Sequence, residues 1–185
     1  MTGISLHRRG SGLTARIAPA LAPALALVFA LGAVDVARAE SAAGEQTLRV
    51  GQALPELGLT DQHERPGPIE AGTRLVLFAP DRESSELAHG VLEATGGETL
   101  EQAGVRYVAD ISAMPGLVTR MFALPKMRDY SYSMLLGREA ADTAMLPRQD
   151  GELTLIGLEA GSVTDLSYVG TEAALRAALA PYLSP

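Results

Sequence analysis

The chain has no cysteine. A thiolate is the nucleophile of disulfide exchange and of cysteine-based peroxide reduction, so both activities are excluded. Disulfide bonds and lipid attachment through cysteine are excluded with them, and packing alone must hold the fold. Other signatures are missing too. There is no G-x-G-x-x-G or P-loop sequence; Gly96-Gly97 follows a helical pattern instead of a strand, so nucleotide and flavin sites have no support and no cofactor is implied. There is no G-x-S-x-G elbow. Beyond residue 39 only His63 and His89 remain as histidines, and no internal repeat or low-complexity tract appears.

What is present begins with a leader. Arg8, Arg9 and Arg16 precede an apolar, alanine-rich run from Ile17 to Val34, and Ala37-Arg38-Ala39 stands before Glu40. A charged segment, an apolar segment and a small-x-small site form a secretory signal peptide. A permanent membrane anchor is the competing reading, but Pro19, Pro23 and the many alanines make the run weakly hydrophobic. Gly10, Ser11 and Gly12 after the arginine pair favour general secretion over a twin-arginine route. Cleavage after Ala39 leaves residues 40–185, a single domain. The leader holds four arginines and Asp35, a net +3, so its removal takes the formal charge from −7 to −10. An acidic exported domain repels nucleic acid and anionic lipid, so neither is an expected partner, and the membrane is met only through the leader.

Hydrophobic spacing then gives the element order. Leu48–Asp61, broken by Pro55 and Gly58, reads as extended pieces, and residues 62–72 as a loop. Thr73–Ala79 is a near-continuous apolar run suited to a central strand. Asp81–Thr95 is a helix, with Leu87, Val91 and Leu92 at helical spacing and Gly96-Gly97 as its stop; 98–103 adds a turn. Val105–Ile111 is a second strand. A short helix, Gly116–Leu124, is expected to start at Pro115, bury Leu117, Val118, Met121 and Phe122, and close at Pro125. Residues 126–131 read as a loop and Tyr132–Leu136 as a third strand. After a connection, Leu153–Leu158 and Val163–Val169 form a hairpin, and Thr171 caps a last helix, Glu172–Leu179, with Pro181 beyond it. The βαβ start implies a parallel pair, and the hairpin an antiparallel edge.

This order is that of the thioredoxin fold, and the residues resemble its redoxin branch, the thioredoxin- and peroxiredoxin-like proteins. Val50-Gly51-Gln52-Ala53-Leu54-Pro55 and Leu57-Gly58-Leu59-Thr60-Asp61 look like the V-G-x-x-x-P and L-x-L-T-D opening of such proteins; Leu75–Ala79 looks like the strand leading into the active-site helix. The resemblance implies a three-layer α/β/α domain with a central mixed sheet and an extended N-terminal hairpin. The departures are at the reactive positions. Aligned on the thioredoxin pattern, the cysteine pair falls near Arg82 and Ser85. Aligned on the peroxiredoxin pattern, Pro80 and Ser84 match its proline and threonine, but Leu87 stands at the peroxidatic cysteine. The family's cis-proline, expected just before the third core strand, has no counterpart at Tyr132-Ser133-Met134. The fold plan is kept without its thiol chemistry.

Other chemistries are weighed on residues. Ser84 or Ser85 with His89 as base lacks an orienting acid, and helix capping suits the serines better. Met114, Met121, Met127, Met134 and Met145 suggest copper(I), but their spacing matches core positions. Asp81 and Asp110, each at a strand end, can share a cleft or simply serve as caps. Tyr130, Tyr132 and Arg128 lie in the expected loop beside the thiol-free turn, and such residues favour interfaces. The sequence therefore points to a non-catalytic module binding an envelope protein or peptide through Pro80, Asp81, Arg82, Ser84, Ser85, Arg128, Tyr130 and Tyr132. The alternative is a metal- or cofactor-dependent, oxidoreductase-like or copper-handling relative.

Overall fold

The computed structural model describes residues 47–184. The leader and its cleavage site lie outside the described residues. The organising strand is β2, Leu75–Ala79, which follows β1, Thr60–Asp61; all five β2 residues are buried. Strand residues alternate between faces. Leu75, Leu77 and Ala79 join one apolar cluster, with Val91, Leu92, Leu175 and Leu179. Val76 and Phe78 join another, with Leu48, Leu59, Leu146 and Ile156.

The elements that follow are α1 (Arg82–Thr95), α2 (Gly97–Gln102), β3 (Val105–Asp110), α3 (Gly116–Val118), a π-helical turn (Thr119–Ala123), α4 (Leu124–Arg128), β4 (Leu135–Gly137), a 3-10 turn (Ala140–Thr143), β5 (Leu153–Glu159), β6 (Ser162–Val169) and α5 (Glu172–Leu183). They build one mixed sheet in the order β1-β4-β3-β2-β5-β6. β2, β3 and β4 run parallel; β5 is antiparallel to β2, β6 to β5, and β1 to β4. α1 and α5 supply side chains to the first cluster, whereas the second is completed by Leu48, Leu54, Leu57, Leu59, Ile69 and the 145–146 segment. In the Leu48–Asp61 stretch, Gly51 and Leu54 donate backbone bonds to Val163 and Gly161, while Thr60 and Asp61 pair with β4.

Three boundaries differ from the sequence reading. Pro125 does not close the helix: the Leu124 N–H reaches back five residues to the Thr119 carbonyl, and this widened turn carries the chain past a proline that has no N–H to donate. The run therefore continues to Arg128, where a loop was expected. Pro181 likewise sits inside α5, because Tyr182 and Leu183 beyond it pack on the core and offset its lost hydrogen bond. The third strand begins at Leu135 instead of Tyr132 and lies outside β3. The antiparallel neighbour of β2 is β5, so the segment facing the start of α1 is Gly151–Glu152, not 132–134.

Candidate functional site

Asp81 leaves β2 in extended conformation and caps α1. Its Oδ1 accepts from the Ser84 N–H at 2.8 Å and from the Ser84 hydroxyl at 2.8 Å, and the Asp81 N–H donates to Ser84 Oγ at 3.2 Å. This reciprocal box satisfies two orphan groups of the helix end. Its Oδ2 accepts from the Gly151 N–H at 2.7 Å, which ties the α1 start to the loop before β5. Burial pushes the Asp81 carboxyl up, but the bonds from Gly151 and Ser84 outweigh it and hold the group below the usual carboxylate value. Ser84 is completely buried. Pro80 is half-buried, and Arg82 is exposed with Glu86, one turn on, as its partner.

Two turns further along α1 lies an aromatic cluster. His89 Nδ1 is 3.0 Å from the Tyr132 hydroxyl, and its ring lies 4.3 Å from that of Tyr130. Tyr130 stacks on Tyr132 at 5.4 Å, and Tyr132 meets Tyr107 edge-on at 5.9 Å. Burial pushes the Tyr107 phenol up to about 12, against an opposing hydrogen bond with Ser85. Burial raises Tyr132 as well, reinforced by the neighbouring phenols and Glu93, so these two phenols stay uncharged through the physiological range. The chain 130–134 is fastened from three sides. Glu93 accepts from the Ser131 N–H and hydroxyl. The buried Gln62 amide donates to the Tyr132 carbonyl at 2.9 Å and accepts from the Met134 N–H at 3.0 Å. The Gly97 N–H bonds the Ser131 carbonyl; a Cβ on Gly97 would stand 2.4 Å from that oxygen, so the position requires glycine. Arg128 donates from Nε to the Gln62 carbonyl at 3.0 Å.

The eight sequence-predicted residues thus fall into two groups, Pro80–Ser85 at the start of α1 and Arg128–Tyr132 beside its middle. Ser85, Tyr107 and Tyr132 connect them through the protein interior. Arg82 and Arg128 are exposed and Tyr130 is half-buried, whereas Ser84 and Tyr132 are interior supports. His89 is committed to Tyr132. Asp110 bonds Ser112, Thr143 at 2.7 Å and Arg148 at 3.3 Å, while Asp81 bonds Ser84 and Gly151, so each carboxylate is spent on its own neighbours. Among the described residues no group of three or more His, Asp or Glu side chains is placed to hold a metal. Of the methionines, Met134 is core and Met127 and Met145 pack against it, but Met121 is exposed. The apolar face expected to be buried is in fact outward: Leu117, Val118, Met121 and Phe122 are 71%, 43%, 58% and 68% exposed, and Leu124 and Met127 pack inward in their place. Gln62, Tyr107 and Gly151 were not predicted; their contacts span 22 to 72 residues and leave no local pattern.

No protein-family model matches the sequence, and no curated protein matches it. Solved structures do match. A structure described as a protein disulfide isomerase of Bacteroides thetaiotaomicron is 14% identical with a TM-score of 0.50, over 72% of this chain and 87% of that one. A structure described as a thiol:disulfide interchange protein DsbE of Chlorobium tepidum is 14% identical with a TM-score of 0.50, over 75% of this chain and 100% of that one. The chain has a thioredoxin-like fold. At this identity the likeness shows the fold and carries over no activity. The names describe thiol–disulfide proteins, and this thioredoxin-like chain has no cysteine. Among the described residues no helix is long and apolar enough to cross a membrane.

Proposed function

We propose that this chain is an exported, non-catalytic thioredoxin-fold module that binds a protein or peptide of the cell envelope. The binding surface is formed by Pro80–Ser85 and 126–133, with Arg82, Arg128 and Tyr130 as the outward groups. One observation carries this reading. At the turn where a redoxin presents its reactive sulfur, the polar atoms of Asp81 and Ser84 are bonded to one another and to Gly151. The turn is thus a fixed surface whose aspartate and buried serine are already bonded within the described residues. Fixed surfaces lose little entropy on binding, which favours recognition. The export half of the reading rests on the leader sequence.

The test uses the protein purified from its own host. Fractionation followed by intact mass is expected to give an envelope protein starting at Glu40. Capture of its partner from envelope extract is expected to fail with the triple variant Arg82→Ala, Arg128→Ala, Tyr130→Ala while the melting curve stays cooperative. Undiminished capture by the triple variant overturns this placement of the surface.

A further inference from the structure

Four of the six large apolar side chains exposed among the described residues fall within Leu117–Phe122. The others, Val50 and Tyr168, are far apart in sequence. Residues 117 and 121, and 118 and 122, are four apart and share a helical stripe. They contribute nothing to either core cluster, so their apolar character is not explained by stability. The stripe is electrostatically distinct as well. Residues 111–128 contain no acid but hold Arg120, Lys126 and Arg128, in a chain whose remainder is strongly acidic. Lys126 is the one lysine of the sequence. Arg120 and Lys126 are exposed and make no ion pair among the described residues, whereas Arg128 is engaged by Gln62 and Glu64. A π-helical turn, Thr119–Ala123, runs through this exposed stripe, and Leu124 and Met127 after it face the core. Such turns recur at functional sites.

We propose that this helical run docks an acidic amphipathic segment of a partner protein, its apolar side chains seated on Leu117, Met121 and Phe122 and its carboxylates on Arg120 and Lys126. The proposal rests on the binding-module reading and adds an adjoining surface that shares Lys126 with the first and has its own apolar chemistry. The choice of occupant follows from size and charge. Four side chains make a patch of a few hundred Å², against about 800 Å² per partner for a stable dimer. A two-fold copy would also set these cations against one another. An anionic bilayer meets the net negative charge of the whole domain, whereas a short acidic segment touches the cationic stripe alone.

The experiment is a fluorescence-anisotropy titration of the exported protein with a labelled twelve-residue amphipathic peptide carrying leucine anchors flanked by glutamates, beside the same peptide with lysines in place of the glutamates. The acidic peptide is expected to bind at least tenfold more tightly than the basic one. Met121→Ser with Phe122→Ser should weaken it at least tenfold, and Arg120→Glu with Lys126→Glu should invert the preference, with unchanged melting curves. The triple variant at Arg82, Arg128 and Tyr130 should retain most of the peptide affinity, so failure of the earlier reading is seen separately. Equal binding of both peptides, or affinity indifferent to Phe122, overturns the proposal. So does tighter adhesion to phosphatidylglycerol vesicles than to the peptide, or a dimer in sedimentation velocity that Phe122→Ser dissolves.

Discussion

The first turn of α1 and the helical run 116–128 leave the same edge of the sheet, because β2 and β3 are parallel neighbours. They use their residues in opposite ways. The α1 turn looks like a site in the sequence, with two serines, an aspartate and an arginine after a buried strand. In the structure its aspartate and Ser84 are turned inward and bonded. The 116–128 run looks like an ordinary buried amphipathic helix, and in the structure it presents its apolar stripe to water. Polarity at a strand end is often structural, and apolar spacing does not say which side of a helix is covered. The contrast can be broken by substitutions on either side.

The largest effect is expected at Asp81. Asp81→Ala removes the cap of α1 and leaves the Gly151 N–H without its acceptor. A lost cap costs about 1 kcal/mol and an unpaired donor about 1–3 kcal/mol, so a total of about 2–4 kcal/mol is expected, read as a lower urea midpoint with an unchanged slope. The pH dependence has a defined sign. Asp81, Asp61 and Asp110 are all held below the usual carboxylate value, in each case by hydrogen bonds that outweigh burial, with an arginine adding to the effect at Asp61 and Asp110. The unfolded chain therefore binds protons first as pH falls. The stability these groups contribute is fully present well above pH 4 and is lost on acidification through their folded values. Asp81→Asn should flatten part of that acid limb; an unaltered limb would mean the carboxylate adds nothing beyond its shape.

Next comes Gly97→Ala. Its Cβ would meet the Ser131 carbonyl at 2.4 Å and the Tyr132 Cα at 3.0 Å, both backbone atoms that cannot swing aside. Overpacking of this kind costs about 1–3 kcal/mol, partly offset by the roughly 1 kcal/mol gain in helix propensity. Faster amide hydrogen exchange in 130–134 is the specific readout. If exchange there is unchanged, Gly97 is only a helix stop, as its sequence position suggests.

A smaller loss is expected for His89→Phe, which keeps a ring against Tyr130 but leaves the Tyr132 hydroxyl without Nδ1. About 1 kcal/mol is the scale for one such bond. Tyr132 fluorescence and the thermal midpoint should both shift; a midpoint equal to the parent's would show that water replaces the imidazole fully.

These substitutions also mark what was legible. Leu75–Ala79 and Arg82–Thr95 are readable because each pattern is local: a covered strand is apolar throughout, and a helix on a sheet repeats at 3.6 residues. The absence of thiol chemistry is readable with no structure at all. In the sequence Tyr132 opens the third strand, but in the structure it is held by His89 and Gln62, 43 and 70 residues away. Competition between ladder bonds and side-chain bonds across such separations has no sequence signal. In 116–128 the failure is different. Leu117, Val118, Met121 and Phe122 have helical spacing, and so do Leu124 and Met127. Choosing between the two sets requires knowing that Pro125 is bypassed by a π turn rather than ending the helix.

The smallest effect is the one that decides the comparison. Phe122→Ser replaces a large apolar side chain, a change that in either core cluster would cost several kcal/mol. At 68% exposure Phe122 has little contact to lose, and surface substitutions fall within about 0.5 kcal/mol. The urea midpoint should therefore stay within error of the parent, and solubility should rise because an exposed apolar patch is reduced. A loss above 2 kcal/mol would mean that Phe122 is buried in solution, and the contrast between a closed α1 turn and an open 116–128 stripe would vanish with it. An unchanged midpoint leaves a stripe that the fold does not use for its own stability, whose apolar side chains then need a role outside the chain.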